Sequence, residues 1–528
     1  MHLLPRAVRS TGRASSAIAP ATDWRPPVRT VARTVARTVA RIAGALLTAA
    51  CASAPPRTVG GLPSTSAAPG RSWAPPPAAT APTHTVSAAA TSRTPAIPAD
   101  VQSRMQQLSL TDVVDLALGN SPVTQTSWAQ ARAAAAAYGS ARGRWLPTIT
   151  GDVNGGPARA ISANPARLPA NRTTWTPSVS LQYLLFDFGA RGGAASAARE
   201  GLFAADFTHN AQVQAVILST QQAYFAFQSA RGGLAAAQAN VETARENLAA
   251  ADRRHEVGLA TIADVLQART ALAQAELAAQ GADGTLQGAR ATLAASMGLE
   301  ANRPFEIASD TTPVPLGTVA ESVDSLIARA ERERPDLAAA RALARQGEAQ
   351  VRVARSATLP SLTMGSTAGR NLSNAPALEG QTYALTLGFS IPIFSGLARQ
   401  YDVVVARENA AATAARAAQA RVQAAAQVYT SYHTLRTATQ RVATSSRLLA
   451  SATQSEQVAR GRYAEGVGSM LDVLAAQQAL ADARAQAVTA RWSWFSSLAQ
   501  LARDAGALSP TGATALRLSS DSTGGLPR

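Results

Sequence analysis

The chain has 528 residues, of which 46% are hydrophobic but only 5% aromatic and 16% charged. The charged fraction is below the roughly 25% of typical soluble domains, and the hydrophobic fraction is too high for a chain disordered throughout. The formal charge of +16 comes from Arg without any Lys. These Arg are scattered among Ala, Gln and Glu without a recognition motif, which argues against nucleic-acid binding.

Residues 1–51 are predicted to be a bacterial secretory leader. Three Thr-Val-Ala-Arg repeats at 30–41 precede an apolar run at 42–50, which is the order of a basic and a hydrophobic signal region. The run is too short to cross a bilayer, which takes about 20 residues. It ends at Cys51, the only cysteine. The residues before it resemble a lipoprotein box, so we expect lipidation of Cys51, with ordinary cleavage after Ala54 as the alternative.

Two flanking segments are predicted to be disordered. Residues 52–105 are rich in Pro, Ser, Thr and Ala, a composition typical of an extended tether without a packed core. Residues 509–528 are predicted to form a disordered tail.

The remainder is predicted to be one unit repeated twice, at 106–310 and 311–508. Residues 254–266 match 462–474 at an offset of 208, and Phe186 pairs with Phe394 at the same offset. Leu146-Pro147 pairs with Leu359-Pro360 at an offset of 213. We expect the five-residue change to lie between the two strands of each hairpin, where loop length is free to vary.

Each copy contains two predicted strands of about ten residues, the length of a tilted membrane-barrel strand. The first strands are expected at 146–155 and 359–369. In the second strands, apolar residues alternate with small or polar ones, as at 383–393, so one face is apolar. Aromatic residues near the strand ends predict an interfacial girdle: Trp145, Trp175, Phe186, Phe188 and Phe394.

Each hairpin is followed by a Pro-free stretch rich in Ala, Gln, Glu and Arg, roughly 189–257 and 397–465. Each stretch predicts a helix of about 100 Å. Gly258 and Gly466 then indicate turns, after which second helices return to about 298 and 505. Shorter helices, interrupted by Pro122 and Pro335, are expected before the hairpins.

Four strands per chain are too few to close a barrel, and an open sheet edge is not tolerated in hydrocarbon. Two chains would give eight strands, a barrel filled by its own side chains. We therefore predict a homotrimer with a twelve-stranded barrel. A periplasmic coiled-coil scaffold without a pore is the alternative.

These features together resemble the outer membrane factor family, the TolC-like exit ducts of Gram-negative bacteria. The resemblance is carried by Leu-Pro before each first strand, Phe186-Asp187-Phe188-Gly189 and Phe394-Ser395-Gly396 after each second strand, and a duplicated Gly-x-x-(Ser/Thr)-x-x-Asp-Val-Leu turn. It implies an α+β membrane protein, in which a trimeric 12-stranded β-barrel (4 strands per chain) continues into a long α-helical periplasmic barrel.

The resemblance also implies partners and a function. A periplasmic adaptor (membrane fusion protein) would dock on the helical tip and connect it to an inner-membrane RND or ABC pump, while outer-membrane lipid surrounds the barrel. The expected cargo is small molecules such as drugs, with protein secretion through an ABC exporter as the alternative.

The tip turns carry the expected site residues. By resemblance, Gly258, Leu259, Gly466 and Val467 receive the adaptor, and Asp264, Asp472 and Tyr463 form a periplasmic gate. A cap or local-turn role for Asp472 is the alternative. The family pattern also places an Arg and a second acid where Gly468 and Ala475 stand, so we expect a gate held by fewer polar links.

Catalytic motifs are missing from the sequence. The five His (His2, His84, His209, His255 and His433) lack metal-ligand spacing, and no phosphate-binding loop, nucleophile elbow or HExxH occurs. We therefore predict a passive duct, neither an enzyme nor a holder of a metal or cofactor.

Overall fold

The computed structural model describes residues 65–66, 68–74, 107–160, 170–308, 313–315, 321–375 and 378–508. The predicted leader with Cys51 and the predicted tail at 509–528 lie outside the described residues. The described residues all belong to one compact unit, residues 60–84 and 89–528.

The described residues form eight α-helices and four β-strands. In chain order they are α1 (Leu110–Asn120), α2 (Pro122–Gly143), β1 (Thr148–Ala160), β2 (Ala170–Phe186), α3 (Ala190–Glu256), α4 (Ile262–Ser296), α5 (Val323–Glu333), α6 (Pro335–Ser356), β3 (Ser361–Ser373), β4 (Gly380–Ser390), α7 (Ala398–Ala464) and α8 (Met470–Asp504).

The helices confirm the internal duplication. The first copy has helices of 11, 22, 67 and 35 residues, and the second copy has helices of the same four lengths in the same order. The bounds of the long helices α3 and α7 lie within one residue of the prediction. Helices before the hairpins are offset by 213 residues and those after them by 208, so the length change lies in the hairpins.

Proline divides each of the shorter helical stretches into two helices. Pro122 begins α2 and Pro335 begins α6. Proline suits the first position of a helix because the N–H that it lacks would have no helical partner there. The residues before them, Ser121 and Arg334, are extended, as the proline ring requires of its predecessor.

The four strands form one antiparallel sheet in the order β1-β2-β3-β4. The strands have 13, 17, 13 and 11 residues, longer than predicted, and β1 and β3 begin just after the Leu-Pro pairs. The alternation in β4 was predicted to continue to Ile393, which is wrong, because the strand ends at Ser390. Pro392 cannot donate a hydrogen bond to a neighbouring strand.

The register of the sheet gathers its apolar side chains on one face. Across the four strands, Ile149 lies opposite Leu181, Leu181 opposite Ser366, and Ser366 opposite Leu385. Tyr383 is 90% exposed in this face. The opposite face is polar, with the hydroxyls of Thr150 and Ser180 2.6 Å apart. The apolar face therefore has no cover among the residues that the structure describes.

The described helices pack around two large adjoining apolar cores and two smaller apolar clusters. One core centres on Val213, Ile217, Leu326 and Trp494, and the other on aromatic residues such as Phe225 and Trp492 together with Leu293. Ala and other small residues dominate the long helices outside these cores. None of the described helices combines the length and the apolar character that crossing a membrane requires.

Part of the predicted tether packs against the helices, which corrects that prediction for residues 65–66 and 68–74. The ring of Trp73 is 5% exposed and lies 5.8 Å from the ring of Phe203 and 5.3 Å from that of Phe207. The side-chain amide of Asn210 accepts from the backbone N–H of Trp73 and donates to its carbonyl. The side chain of Trp73 thus provides the buried apolar surface that the other residues of this Pro-rich segment lack.

Candidate functional site

The two helix-to-helix turns at the end of α3 and α7 have the same backbone geometry. Gly258 has φ +77° and Gly466 has φ +79°, a region that side chains rarely adopt. The next residue in each turn closes a bond back to the helix, from Leu259 N to Arg254 O at 2.7 Å and from Val467 N to Arg462 O at 3.0 Å. Glycine is therefore required by the reversal itself.

Asp264 and Asp472 both lie in the first turn of the helix that follows. The Asp264 carboxylate accepts from the backbone N–H of Thr261 at 2.9 Å, and Thr261 Oγ1 in turn accepts from Asp264 N. Ser469 and Asp472 form the same reciprocal pair. Each pair is a capping box, which ties down the start of α4 or α8. The local-turn role considered for Asp472 is thus present in the structure.

The environment of Asp472 favours its charged form. Hydrogen bonds from the side chain and backbone of Ser469 lower the pKa of the Asp472 carboxyl, and the positive charge of Arg462 lowers it further. This side chain is exposed. The carboxylate is therefore charged and open to solvent at neutral pH.

Tyr463 connects the two tips through Arg254. The Arg254 guanidinium lies 4.9 Å from the centroid of the Tyr463 ring, within the range of a cation–π interaction. Arg254 Nη1 also donates to the carbonyl of Ala464 at 2.8 Å. Burial and the negative charge of Asp264 raise the pKa of the Tyr463 hydroxyl, while Arg254 opposes them. Tyr463 of the second copy thus lies near Arg254 and Asp264 of the first copy. Asp472 instead interacts with Arg462 within the second copy.

Arg254 was missed by the sequence analysis. It occupies the position in the first copy that Arg462 occupies in the second, but the two side chains have different partners. Arg462 Nη2 lies 3.4 Å from Val467 O in its own turn, whereas Arg254 crosses to the other tip. The repeat alignment could have identified a paired arginine, but not which of the two crosses.

A groove runs between α3 and α7 just before the turns. Polar and charged side chains line much of it, and Arg460 lies 3.7 Å from Glu246 and 2.6 Å from Glu456. Other lining residues are Asn247, Arg253, Arg254, Val257, Tyr463 and Met470. At its end, Val257, Leu259 and Val467 are each 68% exposed. The tip therefore offers apolar side chains beside a charged groove.

The described residues contain no group of three or more His, Cys, Asp or Glu placed to hold a metal ion. His209 is buried, with its ring nitrogens 2.9 Å from Ser127 Oγ and 3.0 Å from Arg71 O. Its ring therefore connects α2 and α3 with the backbone of Arg71.

Comparison with known proteins identifies the family. Residues 113–299 and 326–507 match the family described as "Outer membrane efflux protein", one segment in each copy. Protein CyaE of Bordetella pertussis is 31% identical over 402 residues, which are 73% of this chain and 81% of that protein. The pyoverdine export outer membrane protein OpmQ of Pseudomonas putida is 27% identical over 225 residues, 42% of this chain and 47% of that protein.

The fold is also similar to that of solved structures. The Campylobacter jejuni CmeC outer membrane channel matches with a TM-score of 0.67 and 21% identity, over 75% of this chain and 85% of that one. The matched fold combines four antiparallel strands with long helices, the TolC-like arrangement expected from the sequence. This chain therefore belongs to the outer membrane efflux protein family, as a TolC-like, non-enzymatic channel of the Gram-negative outer membrane with a long periplasmic helical domain.

Proposed function

We propose that three copies of this chain form the exit duct of a tripartite efflux system, a passive channel for small molecules across the periplasm and outer membrane. The observation that carries the proposal is the sheet with two free edges. Within the described residues, β1 and β4 each pair on one side only. In hydrocarbon the remaining backbone groups must be paired, so β1 of one copy would bond to β4 of the next.

Three copies would give twelve strands with the apolar face towards lipid and the polar face inside. Threonine and serine hydroxyls on that inner face, such as those of Thr150, Ser180 and Thr386, suit a water-filled lumen. An eight-stranded barrel would instead be filled by side chains. The polar inner face thus favours the trimer over a dimer.

At the helical tips, we propose that Asp264, Asp472 and Tyr463 belong to a periplasmic gate. A trimer would place six carboxylates on these turns, where their charge would favour cations and restrict the mouth. Support comes from the contact between Arg254 and Tyr463, which holds the α3 and α7 tips together. The gate would open when these tips separate.

The same turns are the proposed docking site of the adaptor. Gly258 and Gly466 leave backbone exposed, and Leu259 and Val467 present apolar side chains to solvent. A helical hairpin of the adaptor would bury these side chains, and an inner-membrane RND or ABC pump would supply the energy. Changing Leu259 and Val467 to Asp should abolish adaptor capture, whereas Leu277→Asp, at an equally exposed position on α4, should not.

Small-molecule cargo is supported by the relative OpmQ, whose name describes pyoverdine export. A deletion strain should become sensitive to toxic small compounds while its secreted proteins stay unchanged. Loss of a secreted protein without a change in sensitivity would instead identify a secretion duct of an ABC exporter.

The channel itself is tested with purified full-length protein. We expect a trimer by light scattering, outer-membrane fractionation and single-channel currents in a planar bilayer. A protein that stays in the periplasmic fraction and gives no current would be a coiled-coil scaffold, and the proposal would be wrong.

The proposal also includes a lipid anchor at Cys51. Mass spectrometry of the mature protein should find an acylated N-terminal Cys51. A mature chain beginning at Pro55 would exclude lipidation.

A further inference from the structure

The junction between the helices and the sheet differs between the two copies. In the first copy, Arg191 is buried and its Nε lies 3.1 Å from Asp187 Oδ2, while its guanidinium lies 4.5 Å from the centroid of the Trp145 ring. At the same offset, the second copy has Arg399 but replaces the acid with Ser395. In the first copy Asp187 thus neutralises Arg191, whereas in the second copy no acid stands at the equivalent position beside Arg399.

Further arginines gather at this junction without acidic partners. Arg144 caps the end of α2, and Arg352 and Arg355 lie at the end of α6. Arg399 donates to the carbonyl of Ala357, the residue that follows α6, which places α7 beside these two. We name these four residues (Arg144, Arg352, Arg355 and Arg399) the basic collar.

The ends of α2 and α6 that carry collar residues are connected through the start of α3, where Arg191 lies against the ring of Trp145. A Cβ on Gly193, near the start of α3, would lie 2.9 Å from Val353 Cγ2 on α6, so the ends of α3 and α6 touch. Within the described residues, no collar arginine makes an ion pair with an acid. Glu348 on α6 and Asp402 on α7 are acids near the collar in sequence, and the four arginines outnumber them, so the junction carries net positive charge in each chain.

The collar borders the apolar surface of the sheet. Trp145, Leu146, Leu359 and Phe394 follow or precede its members along the chain and are exposed. Exposed aromatic side chains such as that of Trp145 mark the boundary of the hydrocarbon. Long arginine side chains one or two turns away reach the headgroup layer.

We propose that the basic collar binds the phosphate of anionic phospholipid headgroups in the leaflet next to the helices. The guanidinium group matches phosphate oxygens through two parallel hydrogen bonds. A bilayer surface with anionic lipids attracts basic groups placed beside a membrane segment. The charge of the collar is thus satisfied by lipid phosphate, whereas that of Arg191 is neutralised by Asp187.

The test uses full-length wild-type trimer in nanodiscs of equimolar phosphatidylglycerol and phosphatidylcholine. After mild detergent extraction, native mass spectrometry counts the lipids that remain bound. We expect phosphatidylglycerol to be enriched about fivefold over phosphatidylcholine. The variant Arg352→Gln with Arg355→Gln should lose most of this enrichment, while the control Arg269→Gln with Arg332→Gln, at exposed positions on α4 and α5, should keep it.

Equal retention of both lipids by the wild type would overturn the proposal, and so would full enrichment in the collar variant. Trimer mobility and single-channel current are recorded for every variant. A collar that fails to bind lipid in a conducting trimer is thereby distinguished from a failure of the channel proposal itself.

Discussion

The guanidinium of Arg254, at the end of the first long helix, covers the ring of Tyr463, at the end of the second, at 4.9 Å. The same arginine donates to the carbonyl of Ala464 at 2.8 Å. One side chain from the first copy therefore fastens two consecutive residues of the second, just before the turn at Gly466. This contact joins the two tips of one chain beside the buried apolar cluster of Val265, Met470 and Val473.

Replacing Arg254 with Gln should loosen the tips and raise the current through the resting channel. Loss of the charged hydrogen bond and the cation–π contact should increase the open fraction about tenfold. Single-channel recordings in a planar bilayer measure this directly. Arg269→Gln is the matched control on α4, and an unchanged resting current in Arg254→Gln would exclude a role of Arg254 in holding the channel closed.

Asp264 and Asp472 can be tested for gating separately from capping. Asp264→Asn with Asp472→Asn removes both charges but keeps an acceptor for the N–H groups of Thr261 and Ser469. We expect higher resting conductance and weaker cation selectivity. Replacing both with Ala should also raise conductance, because the carboxylates are then lost entirely.

The control for this experiment removes the caps and leaves the charges. Thr261→Ala with Ser469→Ala should cost about 1 kcal/mol of stability per helix without changing the selectivity. If the Asn variant conducts like the wild type, or if the cap variant opens equally, the acids are structural residues and the gate lies elsewhere.

Asp206 should make the folded protein less stable as pH rises, whereas most acidic side chains make it more stable. It is fully buried on α3, and both carboxylate oxygens lack a hydrogen-bond partner among the described residues. Burial raises the pKa of Asp206 from 3.8 to about 8. The folded state therefore holds one more proton than the unfolded state between these values, and stability falls as pH rises through this range.

The measurement is thermal unfolding of the trimer at pH 6 and pH 9. Asp206→Asn should reduce the loss of stability between these conditions, since each pKa unit corresponds to about 1.4 kcal/mol. Asp283→Asn, exposed on α4, should leave the loss unchanged. Equal losses in the wild type and Asp206→Asn would mean that the carboxyl is hydrated in solution.

Trp73→Ala should release residues 68–74 from the helices. A buried tryptophan contributes about 3–5 kcal/mol, more than the remaining hydrogen bonds of so short a segment would retain. Limited trypsin digestion should then cleave after Arg71 much faster than in the wild type. Trp175→Ala in the sheet serves as the control, and similar cleavage rates in all three proteins would contradict the docking role of Trp73.

The long helices and the duplication could be predicted because they repeat a local signal. Gly258 and Gly466 end helices that contain no proline, and identical residues on both sides fix the offset. The end of β4 was placed too late because apolar alternation continues past Pro392 in sequence but not in hydrogen bonding. The local sequence pattern therefore predicts which helices and strands form more accurately than it predicts where they end.

Contacts between distant segments could not be read in the same way. Trp73 packs against Phe203 and Phe207 across a long stretch of chain, and the Pro-rich composition around it predicts no core. Arg254 and Arg462 look equivalent in sequence, yet only the three-dimensional arrangement of the tips selects the one that crosses. Both features depend on tertiary packing, which leaves no periodic pattern in the sequence of either segment.

The equal lengths of the paired helices limit how this chain can change. One residue inserted into α3 alone would advance its tip by about 1.5 Å and rotate it by about 100°, so the turn at Gly258 would no longer match that at Gly466. An insertion at the far end of a hairpin alters neither tip. The two halves already differ by five residues within the hairpins, so length variation is tolerated at that end of the sheet and excluded from the helices.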